Sequence, residues 1–540
     1  MELNMNNSVK KTIGFSNFKA FGENVQTFSQ KPITLIYSPN SVGKSSVIHA
    51  IAYLHHLIQG GNPDLYATNR LGDTINLGGF KNFVHKHETD RDIVFRINID
   101  DARDLFNEYM KLGQNKTLYC YDLDRLNNYL FHESGTSVGV KIKIGISHDE
   151  ADDMLSTEVS YFIDDKWIFK IDYLPSKSKI KINSEHQLAD LIWNSKYTSF
   201  SIKNPLPLNY KTILNEEYDE VIFGVEFFSI PKDLVKKRGV ESSHNYKVFR
   251  ENSLFLISYL NKIIFSQYNH TTNEGTPPFD YLAPLRFYPE REFSIKSANL
   301  AKDYRSGEPI SSENAWYFLG EKYVIGEIVN EWLSDANKLA TTYKIRHLKL
   351  VDLKSIEDLM QTQDFNNLSN DEKIKQLLSK VESEKLVFQD LKKGVEINNR
   401  DLGLGISQVI PILVAANAYS NTTVAIEQPE LHLHPKAQCE LADEFIRAYH
   451  KEGNSFILET HSEHLLLRIM KRMRQTASGV MQDELLKLTP ADVCLLYIDT
   501  DEDVPLIKEL SLSESGDLLD IWPNGFFEER LNERFDFNDK

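Results

Sequence analysis

The chain has 540 residues, 41% of them hydrophobic, so it is long and apolar enough to bury the cores of two or three domains. No apolar run reaches the ~18 residues of a membrane-spanning helix, and the polar, Asn-rich start lacks the pattern of a secretion signal. We therefore expect a cytoplasmic protein with no membrane association. The formal net charge of −17 argues against nonspecific coating of nucleic acid, since that binding depends on neutralising phosphates.

The cysteines and two basic stretches add little to what the overall composition indicates. Three widely spaced cysteines, Cys120, Cys439 and Cys494, fit a reducing compartment and predict no structural metal. Two basic stretches are either docking sites or solvated helix faces, and the second interpretation is favoured for both. They are Lys232 to Arg250 and the run Arg468, Lys471, Arg472 and Arg474.

The N-terminal part predicts a strand, a loop and a helix. Phe15, Phe18 and Phe21 lie near a predicted strand, and a second, fully apolar strand covers Ile33 to Tyr37. Apolar residues then follow helical spacing from Ser45 to Gln59, before Gly60 and Gly61 end the helix.

The loop between that strand and that helix resembles a P-loop, G-x-x-x-x-G-K-[ST], with Ser38 in place of the first glycine. Backbone N–H groups and the positive end of a helix can hold phosphates, Lys44 can reach the terminal phosphates, and the Ser45 hydroxyl can bind Mg²⁺. The predicted nucleotide contacts are Asn40, Ser41, Gly43, Lys44, Ser45 and Ser46. ATP and Mg²⁺ are the cofactors that this motif predicts. Gln59 is the nearest glutamine for a Q-loop, but it gives no convincing match.

The middle of the chain changes from strand to helix spacing. Alternating apolar residues at 95–99 and 138–146 predict half-buried antiparallel strands, and a hairpin is expected around Asp164, Asp165 and Lys166. Helical spacing follows over 253–265, 322–339 and 371–391, with no sustained heptad repeat.

The C-terminal part returns to α/β character, with strands expected at 423–426, 455–458 and 493–498. Upstream of them, Leu402 to Gln408 resembles a degenerate ABC signature that opens a helix. Its backbone N–H groups would face a phosphate held by a second subunit, with Gly403, Gly405, Ser407 and Gln408 as candidate contacts. Whether Gly403 or Ser407 replaces the usual signature serine stays open.

The segment Val424 to Pro435 looks like the Walker B strand and following turn of ABC ATPases related to recombination proteins. The resemblance implies that Glu427, by its position at the end of this strand, binds Mg²⁺. His432 and His434 alternate as a metal pair would, but no third ligand is near. Further on, His461 after the next strand resembles the switch histidine that hydrogen-bonds a γ-phosphate.

The residue after Glu427 is Gln428, where most ABC ATPases have a glutamate that polarises the attacking water. An amide orients water but cannot accept its proton, so slow hydrolysis is expected unless Glu430 substitutes. Glu430 as a plain surface residue is an equal alternative. The predicted catalytic set is therefore Glu427, Gln428, Glu430 and His461.

These motifs predict an α/β fold: an ABC-type ATPase head with a β-rich and a helical insertion between Walker A and the signature motif. The predicted boundaries are 1–100 for the P-loop part of the head, 101–230 for the β-rich insertion, 231–394 for the helical insertion and 395–540 for the remainder of the head. Half-sites of this type are completed by dimerisation.

Three segments resemble AAA15/21-like bacterial ATPases with a C-terminal Trp-Pro-x-Gly-Phe-Phe module, a group that includes the PtuA ATPases of Septu antiphage systems. They are Tyr281 to Arg286, Glu427 to Gln438, and Ile521 to Phe527. The resemblance implies a homodimer or higher homo-oligomer that binds a small HNH nuclease (PtuB-like). It leaves open whether a retron reverse transcriptase and its DNA belong to the complex.

Three functional classes compete: an ATP-dependent regulator of a separate effector nuclease, a RecF-like repair ATPase that clamps DNA, and a nuclease. The third is weakest, because Asp499, Asp501 and Asp503 fit a solvated acidic turn better than a Toprim metal cluster, and no His-Asn-His site is visible. The missing coiled coil and the acidic balance favour the regulator.

Overall fold

A computed structural model provides the structure of the chain, and its described residues form two compact units. The first unit comprises residues 1–270, 490–512 and 518–540, and the second comprises residues 271–489 and 513–517. Described residues are 10–39, 42–58, 70–71, 75–102, 136–147, 154–174, 177–183, 185–186, 199–202, 256–257, 260–261, 264–265, 279–287, 312, 314–321, 323–361, 365, 368–501 and 504–523.

The first unit begins with the predicted strand–loop–helix arrangement. Strand β3 is buried along its whole length, and α1 buries residues at the expected helical spacing, among them Val47, Ile51 and Leu54. Both predictions are confirmed, except that Gln59 lies outside the described residues. The elements are β1 (Lys11–Ser16), β2 (Gln26–Ser29), β3 (Ile33–Tyr37) and α1 (Lys44–Ile58).

A long antiparallel sheet makes up most of the rest of this unit. Eight strands of the described chain run in the order β11-β10-β9-β8-β7-β6-β1-β2. The predicted hairpin is present, and its central residues Asp164 and Asp165 are both left-handed (φ 48° and 60°), as a tight hairpin turn requires. The predicted β-rich insertion thus continues the sheet that the N-terminal strands begin. The elements are β4 (Arg70–Leu71), β5 (Ile75–Asn76), α2 (Phe80–Phe83), β6 (Ile93–Ile99), β7 (Val138–Ser147), β8 (Met154–Ile163), β9 (Lys166–Leu174), β10 (Lys177–Ile182) and β11 (Ser199–Ile202).

The second unit opens with a mixture of helices and strands. Its elements up to the signature motif are β12 (Phe279–Leu282), α3 (Asn314–Glu321), α4 (Tyr323–Ser334), β13 (Tyr343–Val351), α5 (Leu353–Met360), α6 (Asn370–Ser379), β14 (Val381–Asp390) and β15 (Val395–Ile397).

The helix expected over 371–391 is wrong in its second half. A capping box between Ser369 and Glu372 starts α6, which ends at Ser379, and the next residues form β14. Pairing of β14 with β13 on one side and β15 on the other decides this local structure, because those ladder contacts outweigh a weak helical spacing. Among residues 253–265 only six are described, and these are helical as predicted, while α4 is shorter than the expected 322–339.

Three parallel strands form the centre of the second unit, in the order β12-β16-β17. Strand β16 is buried throughout, and β17 is buried at all but its first residue, which is typical of a parallel sheet covered by helices. Because the strands are parallel, Glu427 and Glu459 end neighbouring strands as register partners. The elements are α7 (Leu404–Asn417), β16 (Thr423–Glu427), α8 (Pro435–Glu452), β17 (Ser455–Glu459) and α9 (Glu463–Ala477).

The chain then returns to the first unit. Strand β18 (Val493–Asp501) pairs in parallel with β3, and β19 (Val504–Leu510) pairs antiparallel with β18. Beyond them, the Trp522 ring packs edge-on against Tyr37 and Tyr497, at centroid distances of 5.7 and 6.2 Å. The α/β class is confirmed, and in the described parts of the chain no helix combines the length and apolarity needed to cross a membrane.

Candidate functional site

The P-loop follows β3 and opens α1, as the sequence predicts. Gly43 has φ +111°, a backbone conformation that side-chain-bearing residues rarely adopt, and this explains the second glycine of the motif. Ser38, which replaces the first motif glycine, is completely buried, and its hydroxyl donates a 2.6 Å hydrogen bond to the Pro39 carbonyl. Asn40 and Ser41 lie outside the described residues.

The Lys44 ammonium group turns back into this loop. Its Nζ donates to the carbonyls of Ser38 at 3.1 Å and Pro39 at 3.2 Å, and the side chain is almost fully buried. Ser45 and Ser46 follow in the first turn of α1, where the Ser46 amide bonds the Gly43 carbonyl at 3.0 Å. A buried cation beside a helix N-terminus gives this loop the electrostatics of an anion site.

The signature segment lies at the start of α7 in the second unit. Gly403 is the N-cap, and a side chain placed there would meet nothing within 4 Å. A Cβ on Gly405 would lie 2.8 Å from the His432 carbonyl oxygen, so the helix approaches the Walker B turn closely. Ser407 and Gln408 are buried; the Ser407 hydroxyl donates to the Leu404 carbonyl at 2.9 Å. The helix therefore presents the backbone of its first residues, while these two side chains point inward.

Glu427 ends β16 with its carboxylate buried. The Tyr281 hydroxyl donates to Glu427 Oε1 at 2.8 Å, and Glu459 is its register partner on β17. Burial raises the pKa of Tyr281 well above its ordinary value, and the carboxylates of Glu427 and Glu459 add to the effect. The phenol therefore remains a hydrogen-bond donor to Glu427 at neutral pH.

Gln428 adopts a left-handed backbone conformation with φ +45°. Its amide donates to the Glu459 carbonyl at 2.7 Å, and its own carbonyl accepts from Arg286 Nη2 at 3.2 Å. Such a conformation is uncommon for a residue with a side chain and persists where surrounding contacts impose it. The turn that carries the predicted water-positioning residue is therefore fixed through its main chain.

The carboxylate of Glu430 bridges to the end of the neighbouring strand. Oε2 accepts from the Thr460 hydroxyl and Oε1 accepts from the His461 amide, both at 2.7 Å. Glu430 is thus not a plain surface residue, and it fixes the backbone on which His461 sits. The structure brings Glu427, Gln428, Glu430 and His461 to one edge of the parallel sheet.

The two alternating histidines, His432 and His434, follow the Walker B strand in the turn before α8. His434 is the N-cap of α8, where its Nδ1 accepts from the Lys436 amide at 3.3 Å, and His432 has a left-handed backbone with φ +63°. Within the described ranges, no group of three or more His, Cys, Asp or Glu residues could hold a metal ion.

Three residues of this centre, Tyr281, Arg286 and Glu459, belong to none of the nucleotide-binding motifs. Tyr281 and Arg286 entered only through a family resemblance, and Glu459 was not singled out. A buried strand that ends in a glutamate, next to another that ends in a glutamate, was the available signal for Glu459. No sequence pattern predicts that Arg286 contacts residues 141 and 142 positions away.

The family model described as "AAA domain, putative AbiEii toxin, Type IV TA system" matches residues 266–468. The match covers the signature segment, the Walker B turn and His461, but not the P-loop, and it spans fewer than half of the 540 residues. The chain carries an ATPase domain. No curated protein sequence matches the ATPase.

Several solved structures are similar to this ATPase at low sequence identity. One is an SMC head bound to the C-winged helix domain of ScpA (TM-score 0.36, 10% identity, covering 94% of this chain and 98% of that chain). Another is the SMC head domain from Thermotoga maritima (TM-score 0.32, 8% identity, 93% and 99%). A third is an SMC head with an extended coiled coil bound to the C-terminal domain of ScpA, from Pyrococcus furiosus (TM-score 0.34, 9% identity, 93% and 96%).

Proposed function

We propose that this ATPase is an ABC-type molecular switch that binds ATP with Mg²⁺, dimerises through its nucleotide half-sites and hydrolyses ATP slowly. In the ATP-bound form it restrains a partner effector nuclease. The P-loop in the first unit, and the signature helix, Walker B carboxylate and switch histidine in the second, support the ABC-type assignment.

The observation that carries slow hydrolysis is the chemistry of the turn after β16. Gln428 holds the position from which a carboxylate would accept a proton from water, and an amide cannot do so. The alternative carboxylate, Glu430, already accepts hydrogen bonds on both oxygens. General-base assistance contributes ~10² to 10⁴ in rate, so its loss suits a switch that stays ATP-bound.

The predicted magnesium ligands supply the donor atoms that this ion prefers. Ser45 offers a hydroxyl oxygen and Glu427 a carboxylate oxygen, and Mg²⁺ takes hard oxygen ligands together with substrate phosphates. The Tyr281 hydrogen bond orients the Glu427 carboxylate, a role that partners of metal ligands commonly have. The bound ion would neutralise phosphate charge.

The nature of the partner is proposed from the family resemblance alone. It points to cytoplasmic antiphage defence, to a small HNH nuclease as the effector, and to a retron reverse transcriptase with its DNA as a further component where one is encoded nearby. The C-terminal Trp522, the first residue of the Trp-Pro-x-Gly-Phe-Phe module, packs against the last residue of β3. This contact places Trp522 itself beside the P-loop strand.

A RecF-like DNA clamp is the second candidate, and the described basic residues give it little support. Arg468 donates to Asp443 at 2.6 Å and to Glu440 at 2.9 Å, Arg472 also pairs with Asp443, and Arg474 pairs with Asp517. These three arginines form ion pairs with carboxylates, so the basic stretch from Arg468 to Arg474 is mainly a structural ion-pair cluster.

The test combines the purified ATPase with the product of its adjacent gene. We expect the ATPase alone to cut neither DNA nor RNA. The mixture should cut nucleic acid when nucleotide is depleted, and ATP should suppress this nuclease activity. A nuclease-free preparation that cuts nucleic acid by itself would contradict the proposal. So would a neighbouring protein whose activity ignores the ATPase and its nucleotide.

A further inference from the structure

Arg286 connects the signature helix to the Walker B turn inside the second unit. The residue is 5% exposed, follows β12 and lies far in sequence from both partners. Its guanidinium donates through Nη2 to the Glu427 carbonyl at 2.7 Å and to the Gln428 carbonyl at 3.2 Å. One side chain thus holds two successive peptide groups of the turn.

The backbone of the same residue is held from the other side by Gln408 on α7. The Arg286 amide donates to Gln408 Oε1 at 3.1 Å, and Gln408 Nε2 donates to the Arg286 carbonyl at 3.2 Å. This reciprocal pair uses both ends of one side-chain amide, so a shift of α7 at Gln408 displaces the Arg286 main chain. Gln408 is itself buried, which leaves it little freedom to reorient.

Burial of the charged Arg286 side chain at this position has a free-energy cost. Burial lowers the pKa of Arg286 to about 10, although Glu430 and Glu427 act in the opposite direction. Its Nε and Nη1 atoms are buried without a hydrogen-bond partner in the described structure. Buried polar atoms of this kind are rare, and each requires a cause such as strain, a functional role or a bound water.

We propose that Arg286 is a positioning residue that, with Gln408, transmits movement of the signature helix to the Walker B turn. This inference rests on the proposed function. When the start of α7 meets the nucleotide of a second subunit, the displacement passes through Gln408 and Arg286 to the carbonyls of Glu427 and Gln428. The left-handed Gln428 then reorients relative to Glu427, so hydrolysis responds to dimer closure.

Two variants break the link at different points. Arg286→Lys keeps the positive charge but removes the rigid planar guanidinium, whose Nη2 donates to both carbonyls, and the flexible ammonium does not fix two bonds in that geometry. Gln408→Met keeps the side-chain length and removes both hydrogen bonds to Arg286. The matched control is Trp332→Phe, which removes a buried 3.2 Å hydrogen bond to Glu444 in the same unit, a bond that involves neither Arg286 nor Gln408.

Kinetics provide one readout. We expect Arg286→Lys to lower kcat about 10- to 100-fold, the scale of a ~1 Å misplacement in a catalytic centre, with KM for ATP and ATP-dependent dimerisation within about threefold of wild type. Gln408→Met should act in the same direction, and the double variant should lose less than the product of the two effects, because both residues serve one link. The Trp332→Phe control should lower thermal stability without lowering kcat.

Amide hydrogen exchange without nucleotide provides the deciding readout, and it needs no ATPase activity. Gln408→Met should raise exchange in the peptide spanning residues 426–433 by about tenfold relative to a peptide from α8, and Trp332→Phe should not. Unchanged exchange in that peptide, or kcat within twofold of wild type for Arg286→Lys, would overturn the inference. Wild-type protein that neither dimerises nor hydrolyses ATP would instead contradict the proposed function, while the exchange result would still decide the link.

Discussion

The hydroxyl of Tyr281 donates a 2.8 Å hydrogen bond to the carboxylate of Glu427, and both side chains are buried at the end of the parallel sheet. The hydrogen bond fixes one oxygen of the carboxylate. Because the group is planar, the direction of the second oxygen is restricted as well. The relationship gives a candidate magnesium ligand an orientation that the Walker B motif alone does not specify.

Replacement of Tyr281 by Phe should therefore weaken the response to Mg²⁺. Loss of a hydrogen bond that orients a metal ligand typically costs 10- to 100-fold in affinity or activity, so we expect about tenfold more Mg²⁺ at half-maximal turnover. Urea unfolding should also show a loss of about 1–3 kcal/mol, because a buried acceptor loses a donor. Tyr343→Phe, at a half-buried tyrosine of β13, is the control. An unchanged Mg²⁺ requirement in Tyr281→Phe would contradict this role.

Removal of the P-loop cation should nearly abolish ATP binding. Lys44→Ala takes away the ammonium group that the loop carbonyls of Ser38 and Pro39 hold in place. We expect affinity for ATP to fall at least about 100-fold in a direct binding titration, since a desolvated cation–phosphate contact is worth several kcal/mol. Lys451→Ala, on the surface at the end of α8, should bind normally. Wild-type affinity in Lys44→Ala would refute the P-loop assignment.

A negative charge at the signature loop should block dimer closure while each subunit still binds nucleotide. Gly403 suits this test better than Gly405, where a side chain would collide with the His432 carbonyl. Gly403→Glu places a carboxylate where a phosphate is expected from the second subunit, whereas Gly403→Gln has the same size without the charge. We expect sedimentation with ATP to show a dimer for wild type and Gly403→Gln and mainly monomer for Gly403→Glu, with nucleotide binding retained in all three. A fully active monomer would rule out shared half-sites.

Two histidines of α1, the half-buried His49 and the buried His55, should make the protein sensitive to acid. Burial lowers the pKa of His49 to about 3, with a further contribution from Lys19, and burial lowers the pKa of His55 to about 3, with a contribution from Lys11. The unfolded state takes up these protons near the ordinary histidine pKa of about 6.5 while the folded state does not. Stability is therefore fully present above that value and is lost as pH falls from 6.5 towards 3, by on the order of 1 kcal/mol per pH unit for each histidine.

The measurement is thermal unfolding between pH 7.5 and 4.5. We expect His55→Met to flatten the acid limb of the melting-temperature profile, because it removes one of the groups whose protonation drives unfolding. The exposed His450→Gln should leave the slope unchanged. Equal slopes for wild type and His55→Met would show that His55 does not contribute to acid unfolding.

The sequence predicted those features that depend on neighbours in the chain. Strand β3, the P-loop and α1 are consecutive in the chain. In the same way, the buried strands β16 and β17 each lead directly into polar residues, among them Glu427 at the end of β16 and His461 after β17. The strand β14 was misassigned because its pairing partners β13 and β15 lie elsewhere in the chain. Likewise, Arg286 contacts Gln408 and Gln428 only through the tertiary fold, and the double hydrogen bonding of Glu430 arises from the adjacency of two parallel strands.

The central claim is that this ATPase is a slow switch because Gln428 replaces a general base. Steady-state ATP turnover of wild type beside Gln428→Glu tests it most directly, with Glu430→Gln as the comparison that removes one of the two acceptors for Thr460 and His461. We predict wild-type turnover well below the 1–100 per second that is typical of phosphoryl-transfer enzymes such as kinases, and an increase of about tenfold or more in Gln428→Glu. Glu430→Gln should lower turnover further. Wild-type turnover of tens per second, unchanged by either substitution, would contradict the account.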